Sequence, residues 1–277
     1  MMNKKELKIE ATEVRKTLLH MIYHANTGHT GGDLSSTEIV TTLYNRILNI
    51  DPKNPDDPKR DRFILSKGHS VEVYYTVLAR CGFFPVDWLK TFSKRGSLLS
   101  GHPNNKIPGI EMNTGALGHG LSVSVGMALA LKKKGYDSKV YCLMGDGEHA
   151  EGSIWEAAMA ASNYKLDNLV AIIDRNNLQI SGNTEDVMAL EPIKDKYESF
   201  GWNVVEMDGN NIDMVVDTLE MENKTGKPLF VIAHTVKGKG VKEMENVAKW
   251  HHGVPSPVLY ESAMNQLNKN EENLKNE

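Results

Sequence analysis

The sequence has 277 residues, of which 40% are hydrophobic and 25% charged, the mixture of an ordinary globular protein rather than a disordered one. A chain of this length buries a sizeable core without disulfide or zinc staples, and its two cysteines, Cys81 and Cys142, fit a reducing compartment. The net charge of −4 argues against nucleic acid as a partner, and no apolar run approaches the roughly 20 residues of a membrane span, so we expect a cytoplasmic protein.

The N-terminal part is predicted to be mainly helical, because apolar residues recur there at helical spacing. A first helix is expected over residues 7–25, followed by a turn-rich stretch at 27–32. Ser35 or Ser36 can cap a second helix, whose apolar pattern extends to Ile47. A charged, proline-rich surface loop is predicted to follow this helical region.

Beyond the loop, short apolar runs alternate with helical patterns. Continuous apolar strands that alternate with helices indicate a parallel sheet covered on both faces. The predicted strands cover residues 63–65, 140–144, 169–173 and 229–233, with a weaker one at 204–205. The predicted helices cover 69–80, a short segment from Pro85, 117–134, 153–163, 192–200 and 211–223. We therefore predict an α/β fold, with one domain over 1–260 and a polar C-terminal tail over 261–277 without a catalytic role.

Polar side chains cluster where the predicted strands end. Ligands of an open parallel sheet bind beyond the carboxyl ends of its strands, so these groups are expected to converge at one edge. The stretches concerned are Ser66-Lys67-Gly68-His69, Gly145-Asp146-Gly147, Asp174-Arg175-Asn176-Asn177 and His234 to Gly240.

Asp146 and Asn176 lie 30 residues apart, with one helix and one strand between them. That spacing is one βαβ step, which places the two side chains at neighbouring strand ends. Carboxylate and amide oxygens suit Mg²⁺ or Ca²⁺, and the glycines beside Asp146 let a phosphate approach the backbone. Gly-Asp-Gly alone is more often a plain turn, but its pairing with Asn176 favours a metal and diphosphate site.

Histidines form a second candidate group. A lone loop histidine is usually just solvated or hydrogen-bonded, yet several here stand beside glycine, and histidine suits proton transfer near neutral pH. A zinc site is disfavoured because no cysteine pair has zinc-knuckle spacing, and a serine hydrolase because no Gly-x-Ser-x-Gly elbow occurs. The histidines concerned are His29, His69, His102, His119, His251 and His252.

Together these stretches resemble the N-terminal, diphosphate-binding part of transketolase. Thiamine-diphosphate enzymes carry Gly-Asp-Gly followed one βαβ step later by asparagine, as at Gly145-Asp146-Gly147 and Asn176. The resemblance implies a single thiamine-diphosphate-binding domain and extends over residues 10–257. Its other motifs are Arg62 to His69, Ser100-Gly101-His102-Pro103, Asn113 to Gly120 and Glu148 to Ala157.

The resemblance implies two cofactors, thiamine diphosphate and Mg²⁺, with Ca²⁺ or Mn²⁺ as possible substitutes for the metal. Asp146, Asn176 and the backbone carbonyl of Leu178 would bind the metal. His69 and the backbone of Gly147 would hold the diphosphate. The other implied cofactor contacts are Gly115, Ala116 and Leu117 at the two rings, Lys237 near the diphosphate, and Glu151 at an inter-chain contact that organises paired sites.

The resemblance also implies which histidines meet the substrate. His29 and His102 would approach its hydroxyl groups. The last histidine of the family precedes a Gly-x-Pro stretch and follows a tryptophan, and here both His251 and His252 fit that description. All four are therefore candidate catalytic residues.

Two departures from the family bear on function. Asp33 occupies a position that is usually small or proline, which bears on substrate preference. The chain is also much shorter than a full transketolase, whose second half supplies the glutamate that activates the cofactor. The chain thus resembles the N-terminal subunit of a split enzyme. It would be active only with a separate C-terminal subunit, in a heterotetramer that contains a second copy of this chain.

The expected reaction moves a two-carbon ketol unit between sugar phosphates, as in the pentose phosphate pathway. Three alternatives of related type stay open: a transketolase for an unusual sugar phosphate, an enzyme like 1-deoxyxylulose-phosphate synthase, and a non-catalytic subunit that binds the cofactor for assembly. A Mg²⁺ phosphohydrolase is less well supported, because Glu148 stands where an Asp-x-Asp motif would have its second aspartate.

Overall fold

The computed structural model describes residues 1–276, whose central feature is a five-stranded sheet. Its strands are β1 (Arg62–Leu65), β2 (Val140–Gly145), β3 (Leu169–Arg175), β6 (Asn203–Asp208) and β7 (Leu229–His234), and a small antiparallel hairpin is formed by β4 (Leu178–Gln179) and β5 (Gly182–Asn183). All neighbouring strands of the large sheet are parallel, in the order β1-β2-β3-β7-β6. The predicted α/β fold is confirmed.

Ten α-helices in the described residues surround and extend the sheet. They are α1 (Lys4–Ala25), α2 (Thr30–Ser35), α3 (Thr37–Thr42), α4 (Val71–Arg80), α5 (His119–Lys133), α6 (Gly152–Asn163), α7 (Thr184–Val187), α8 (Ile193–Ser199), α9 (Ile212–Glu220) and α10 (Pro257–Asn276). Short 3₁₀ or π turns occupy Leu43–Ile47, Val86–Thr91, Gly147–Ala150 and Ala248–His251. None of these helices is both long and apolar enough to cross a membrane.

The central strands are continuously apolar because their side chains enter two hydrophobic clusters, one on each face of the sheet. On β2, Tyr141 and Leu143 enter one hydrophobic cluster, whereas Val140, Cys142 and Met144 enter the other. Successive side chains of a strand point to opposite faces, so a sheet covered on both sides needs apolar residues at every position. The strands β3 and β7 divide their side chains in the same way.

The N-terminal helices differ in detail from the prediction. The capping box of Asn3 and Glu6 begins α1, and Asn26 ends it in the left-handed conformation. The residues after it are not all turn, because α2 already begins at Thr30. Gly31 and Gly32 serve close packing there: a Cβ on Gly31 would lie 2.7 Å from the carbonyl oxygen of Trp250. The glycines suggested a turn in the sequence, but in the structure they occur in a helix because neighbouring atoms leave no room for larger side chains.

The polar segment from residue 261 onward forms most of α10. Ala263 and Leu267 of this helix are buried against α1, and Lys16 of α1 bonds Glu271 at 2.6 Å. The expected boundary at residue 260 therefore falls inside a helix, and the segment described as a tail packs against the domain. Apolar residues are sparse in this segment and only two of the described helix residues are buried, which is why the sequence alone suggested a tail.

Candidate functional site

The ends of β2 and β3 bring Asp146 and Asn176 together. Gly145 and Asp174 are partners in the parallel register, so the next residues of both strands emerge at the same edge. Asp146 accepts hydrogen bonds from the N–H groups of Gly147 at 2.8 Å and Asn177 at 2.6 Å. Asp146 is 4% exposed, and burial together with the nearby Asp174 raises its pKa to about 6.

These residues border one cavity of about 520 Å³, a volume within the range of about 300–1,000 Å³ for ligand sites. Most of the residues predicted for the site line it together. They are His29, His69, Gly115, Leu117, Asp146, Gly147, Asn176, Leu178, Lys237 and His251. The structure therefore joins strand ends and loops that are far apart in the sequence.

Four predicted site residues lie outside the lining of this cavity. The ring of His102 lies 6.4 Å from that of His29, and a Cβ on Gly115 would meet the His102 ring at 2.5 Å. Exposed His252 has its ring 4.7 Å from that of His29, with its Nε2 3.4 Å from Thr27 Oγ1. Both histidines thus stand near the cavity. Of the other two, Ala116 and Glu151 are both exposed, and Glu151 packs against Gly118.

The imidazoles of the cavity form a contiguous group. The ring of His29 lies 5.2 Å from that of His69 and 5.7 Å from that of His251, and the latter two rings are stacked at 5.0 Å. Burial lowers the pKa of His29 to about 4 and that of His251 to about 3, and it holds the pKa of His69 well below its usual value. All three are therefore neutral at pH 7, when each ring has one N–H donor and one acceptor nitrogen.

Two buried lysines place positive charge at the cavity. Lys237 Nζ donates to the carbonyl of Leu178 at 3.2 Å and lies 3.3 Å from His251 Nδ1. Burial and the neighbouring Lys67 lower the pKa of Lys237 to about 8. Lys67 donates to Gly32 O at 2.9 Å and forms a buried ion pair with Asp174.

Sequence reasoning left two supporting groups without a role. Glu148 accepts hydrogen bonds from Ser66 Oγ, from Gly118 N at 2.8 Å and from Gly145 N at 3.0 Å, so it ties three loops of the site together. Arg175 is buried and contacts Asp146 at 3.4 Å, and it also forms ion pairs with Glu185 of α7 and with Glu191. Each is a charged residue directly beside a motif residue of the predicted metal site, and that position was the sequence signal that could have identified it.

The donor atoms fit a divalent metal with a phosphate ligand. Asp146, Asn176 and Leu178 line the same cavity and offer a carboxylate, an amide oxygen and a carbonyl oxygen, the hard donors that Mg²⁺ prefers. Within residues 1–276, no three His, Cys, Asp or Glu side chains come together as a metal site. A metal here would thus depend on the amide and the backbone carbonyl, with Lys237 close by for an anionic group.

The match to known proteins covers nearly the whole chain. Residues 7–269 match the family described as transketolase, thiamine diphosphate binding domain. The chain belongs to the transketolase family. The predicted family, its enzyme class and its cofactor thiamine diphosphate are thereby confirmed.

Individual transketolases and their subunits differ in how much of their length this chain covers. An apulose-4-phosphate transketolase subunit of Phocaeicola vulgatus is 52% identical over 98% of this chain and 97% of that protein. The 6-deoxy-6-sulfo-D-fructose transketolase subunit SqwG of Clostridium sp. is 41% identical over 95% of this chain and 97% of that protein. The crystal structure of Campylobacter jejuni transketolase superposes with a TM-score of 0.86 at 31% identity, covering 100% of this chain but 48% of that one. The chain thus spans about half of a full transketolase and nearly all of the proteins named as subunits.

Proposed function

We propose that this chain is the thiamine-diphosphate- and Mg²⁺-binding subunit of a two-chain transketolase that moves a two-carbon ketol unit between sugar phosphates. The observation that carries the proposal is the single cavity in which Asp146, Asn176 and Leu178 meet the neutral imidazoles of His29 and His69. When bound, thiamine diphosphate supplies a nucleophilic carbon and an electron sink for cleaving the bond beside a ketone.

The chain's own residues divide into cofactor and substrate groups. Asp146, Asn176 and the Leu178 carbonyl hold the metal, which can be Mg²⁺, Ca²⁺ or Mn²⁺. Neutral His69 donates an N–H toward the diphosphate, while Lys237 offsets part of its charge. The other implied cofactor contacts are the backbones of Gly115, Ala116, Leu117 and Gly147, with Glu151 at an inter-chain contact.

The substrate group consists of histidines at the cavity and its rim. His29 and His251 are neutral at pH 7, so their imidazole nitrogens accept a proton from a sugar hydroxyl or donate a hydrogen bond to it. His102 and His252 stand near His29, where they extend the same polar surface outward. All four stay candidate catalytic residues, and the lining position of His251 supports it as the inner one of the adjacent pair.

The substrate proposed is an unusual sugar phosphate rather than one of the common pentose phosphates. Two relatives that match along nearly their entire length are named for apulose 4-phosphate and 6-deoxy-6-sulfo-D-fructose. The pentose phosphate pathway stays the alternative, because the human relative is named simply transketolase.

The partner proposed is a separate chain that carries the pyrimidine-binding half and its activating glutamate. The Phocaeicola vulgatus relative, which matches this chain in length, is itself named as one subunit of its enzyme, and this supports a separate partner chain. We further propose a heterotetramer with two copies of each chain, because paired sites favour closed two-fold symmetry. The cytoplasm is the proposed location.

The test is reconstitution. The purified chain, the presumed partner and their mixture are assayed for ketol transfer from xylulose 5-phosphate and from apulose 4-phosphate, with thiamine diphosphate and Mg²⁺. We expect activity only in the mixture, maximal near a one-to-one ratio and higher with the apulose substrate. Full activity of the isolated chain would refute the split enzyme, whereas a mixture that binds cofactor without turnover would favour the non-catalytic alternative.

A further inference from the structure

Two carboxylic acids that the proposed reaction leaves without a role are buried behind the His29 backbone. Asp33 of α2 and Glu72 of α4 both have 0% exposure. Asp33 Oδ1 accepts a hydrogen bond from Val73 N at 2.9 Å, and Glu72 Oε1 accepts one from His29 N at 3.1 Å. Their other oxygens, Asp33 Oδ2 and Glu72 Oε2, are buried, and no amide, hydroxyl or cationic group within residues 1–276 donates to them. The two carboxyls approach each other closely enough for a hydrogen bond.

Such a contact needs one proton between the two groups. An ionised carboxylate can only accept hydrogen bonds. Two carboxyl groups can therefore form a hydrogen bond with each other only when one of them carries a proton. The ammonium of Lys67 is the nearby cation, but it donates to Gly32 O and Asp174 rather than to the pair. Burial raises the pKa of Asp33 to about 7 and that of Glu72 well above its usual value, which agrees with one retained proton.

Asp33 and Glu72 are both hydrogen-bonded to the backbone of His29. Glu72 accepts the N–H of His29, while the backbone N–H of Asp33 donates to the carbonyl of His29 at 3.2 Å. The close approach of the two carboxyls brings these ends together, and a proton shared between them would complete the link. The fit is tight, because a Cβ on Gly28 would lie 2.8 Å from Glu72 Oε1. The position of His29 thus depends on both acids.

We propose that Asp33 and Glu72 are positioning residues whose shared proton fixes the backbone of His29 beside the cavity. Losing this proton would set two buried negative charges against each other and loosen the turn that carries His29. The catalytic consequence rests on the proposed transketolase function, whereas the proton-sharing pair is a property of this chain by itself.

The charged surroundings of the pair are few. Lys67 acts on Asp33, and the Tyr75 phenol of α4 lies near Glu72. The neighbour from α1 is the uncharged side chain of Ile22, which lies beside Gly28 on the side where Glu72 Oε1 also lies. On α3, Glu38 is already engaged by Arg15 of α1 and by Asn210, and Asp87 and Lys90 of the turn beside α4 pair on the surface. Together with the imidazole of His29 itself, these are the groups that influence the titration.

Amide variants make the arrangement testable. In Asp33→Asn, the new N–H₂ group replaces the shared proton, because its oxygen still accepts from Val73 N. In Glu72→Gln the same replacement occurs from the other side, because its oxygen still accepts from His29 N. In the double variant two N–H₂ groups face each other, so one backbone bond must break. We expect each single variant to lose less than about threefold in kcat at pH 7 and the double variant more than about tenfold.

The pH dependence supplies the readout that a purely structural role would not move. The folded chain retains a proton that the unfolded chain releases near pH 4, so this pair's contribution to stability is lost as pH rises from about 4 to about 7. Asp33→Asn removes that loss. We therefore expect the Tm of Asp33→Asn relative to wild type to rise between pH 5 and pH 8, and kcat of the wild type with its partner to fall above pH 7 while that of Asp33→Asn does not.

Thr76→Val is the matched control, because Thr76 is a buried polar residue one turn along α4 from Glu72. It should leave the pH profiles of Tm and kcat unchanged. Single variants as impaired as the double one, unfolded single variants, or an Asp33→Asn profile that follows the wild type would each overturn the pair. An inactive wild-type mixture with the expected Tm profiles would contradict the proposed function and leave the pair standing.

Discussion

The charged residues of the site are stable in a buried place only through specific partners. Lys67 and Asp174 are both almost completely buried and pair with each other. Burial alone would raise the pKa of Asp174, but Lys67 and the hydroxyls of Ser35 and Thr235 outweigh it and hold this pKa below its usual value. Removing one member of such a pair typically costs about 3–5 kcal/mol, so the ion pair restricts which residues the site can contain.

Replacing either predicted metal side chain should abolish tight cofactor binding and leave the fold intact. Asp146→Ala and Asn176→Ala each remove a hard oxygen donor from the cavity. Even outer partners of a metal typically cost about 10- to 100-fold when removed, so we expect at least about 100-fold weaker binding of thiamine diphosphate with Mg²⁺. Calorimetric titration in the presence of the partner chain measures this. Exposed Asp186 provides the control Asp186→Ala, and unchanged affinity in both site variants would sink the metal assignment.

The histidines should separate into two kinetic classes. His69→Ala should weaken cofactor binding, because the ring lines the cavity near Lys237. His29→Ala and His102→Ala should instead lower kcat/KM by about 100-fold or more, typical of a lost proton-transfer group, with cofactor affinity nearly intact. His234→Ala on the exposed end of β7 is the control. Equal loss of cofactor affinity in all three site variants would show that this division of roles is wrong.

Among whole elements, β2 and β3 position the chemistry and α10 supports it from behind. The strands are held by side chains on both faces, so their ends are rigid places for Asp146 and Asn176. On the far side, α10 packs along α1, whose C-terminal end leads directly into the turn with His29. The segment that the sequence suggested as a tail is thus a helix, α10, that packs against α1, the helix directly before the turn with His29.

Truncating the buried face of α10 should destabilise the domain. Leu267 is 2% exposed, and Leu267→Ala should lower the free energy of unfolding by about 2–4 kcal/mol through lost burial and the cavity it leaves. Urea denaturation followed by circular dichroism measures the change. Val258→Ala on the same helix is the control, because Val258 is 79% exposed and should change stability by less than about 0.5 kcal/mol. Equal effects of the two substitutions would mean that α10 does not pack as described.

On the scale of the whole molecule, the chain corresponds to about half of a full transketolase. It covers 48% of a solved transketolase from Campylobacter jejuni. The outer face of α5 is made of small exposed residues, Ser122, Gly126 and Ala130, and the neighbouring Met159 of α6 is 52% exposed. We infer that another chain covers this face, since close approach needs small side chains.

A bulky residue on this face should block assembly without unfolding the chain. Gly126 is exposed and a Cβ there would meet no atom within 4 Å, so we expect the isolated domain to tolerate Gly126→Trp. We expect its Tm to stay within a few degrees of the wild type, while the heteromeric complex is lost in size-exclusion chromatography with light scattering. Asn273→Trp, at an exposed position of α10, is the matched control and should assemble normally. Normal assembly of the Gly126 variant would show that the face is not an interface.

The sequence alone was sufficient to predict the sheet and the family and to place Asp146 and Asn176 beside each other. Apolar runs such as 169–173 reveal a doubly covered strand because burial on both faces acts on every residue. Asp146 and Asn176 could be placed together because one βαβ step has a nearly constant length. Glycines next to polar residues indicated the strand-end loops, because a close approach of the backbone requires glycine and is therefore visible in the local sequence.

Only the tertiary structure decided how distant segments meet. Nothing in the local pattern pairs Asp33 with Glu72 or Lys67 with Asp174, because these contacts join separate elements through burial rather than spacing. The same holds for α10: its two buried residues acquire meaning only when α1 lies opposite them. Hydrophobic periodicity is a property of one segment, whereas the ionisation of a buried carboxyl depends on which other groups the fold brings to it.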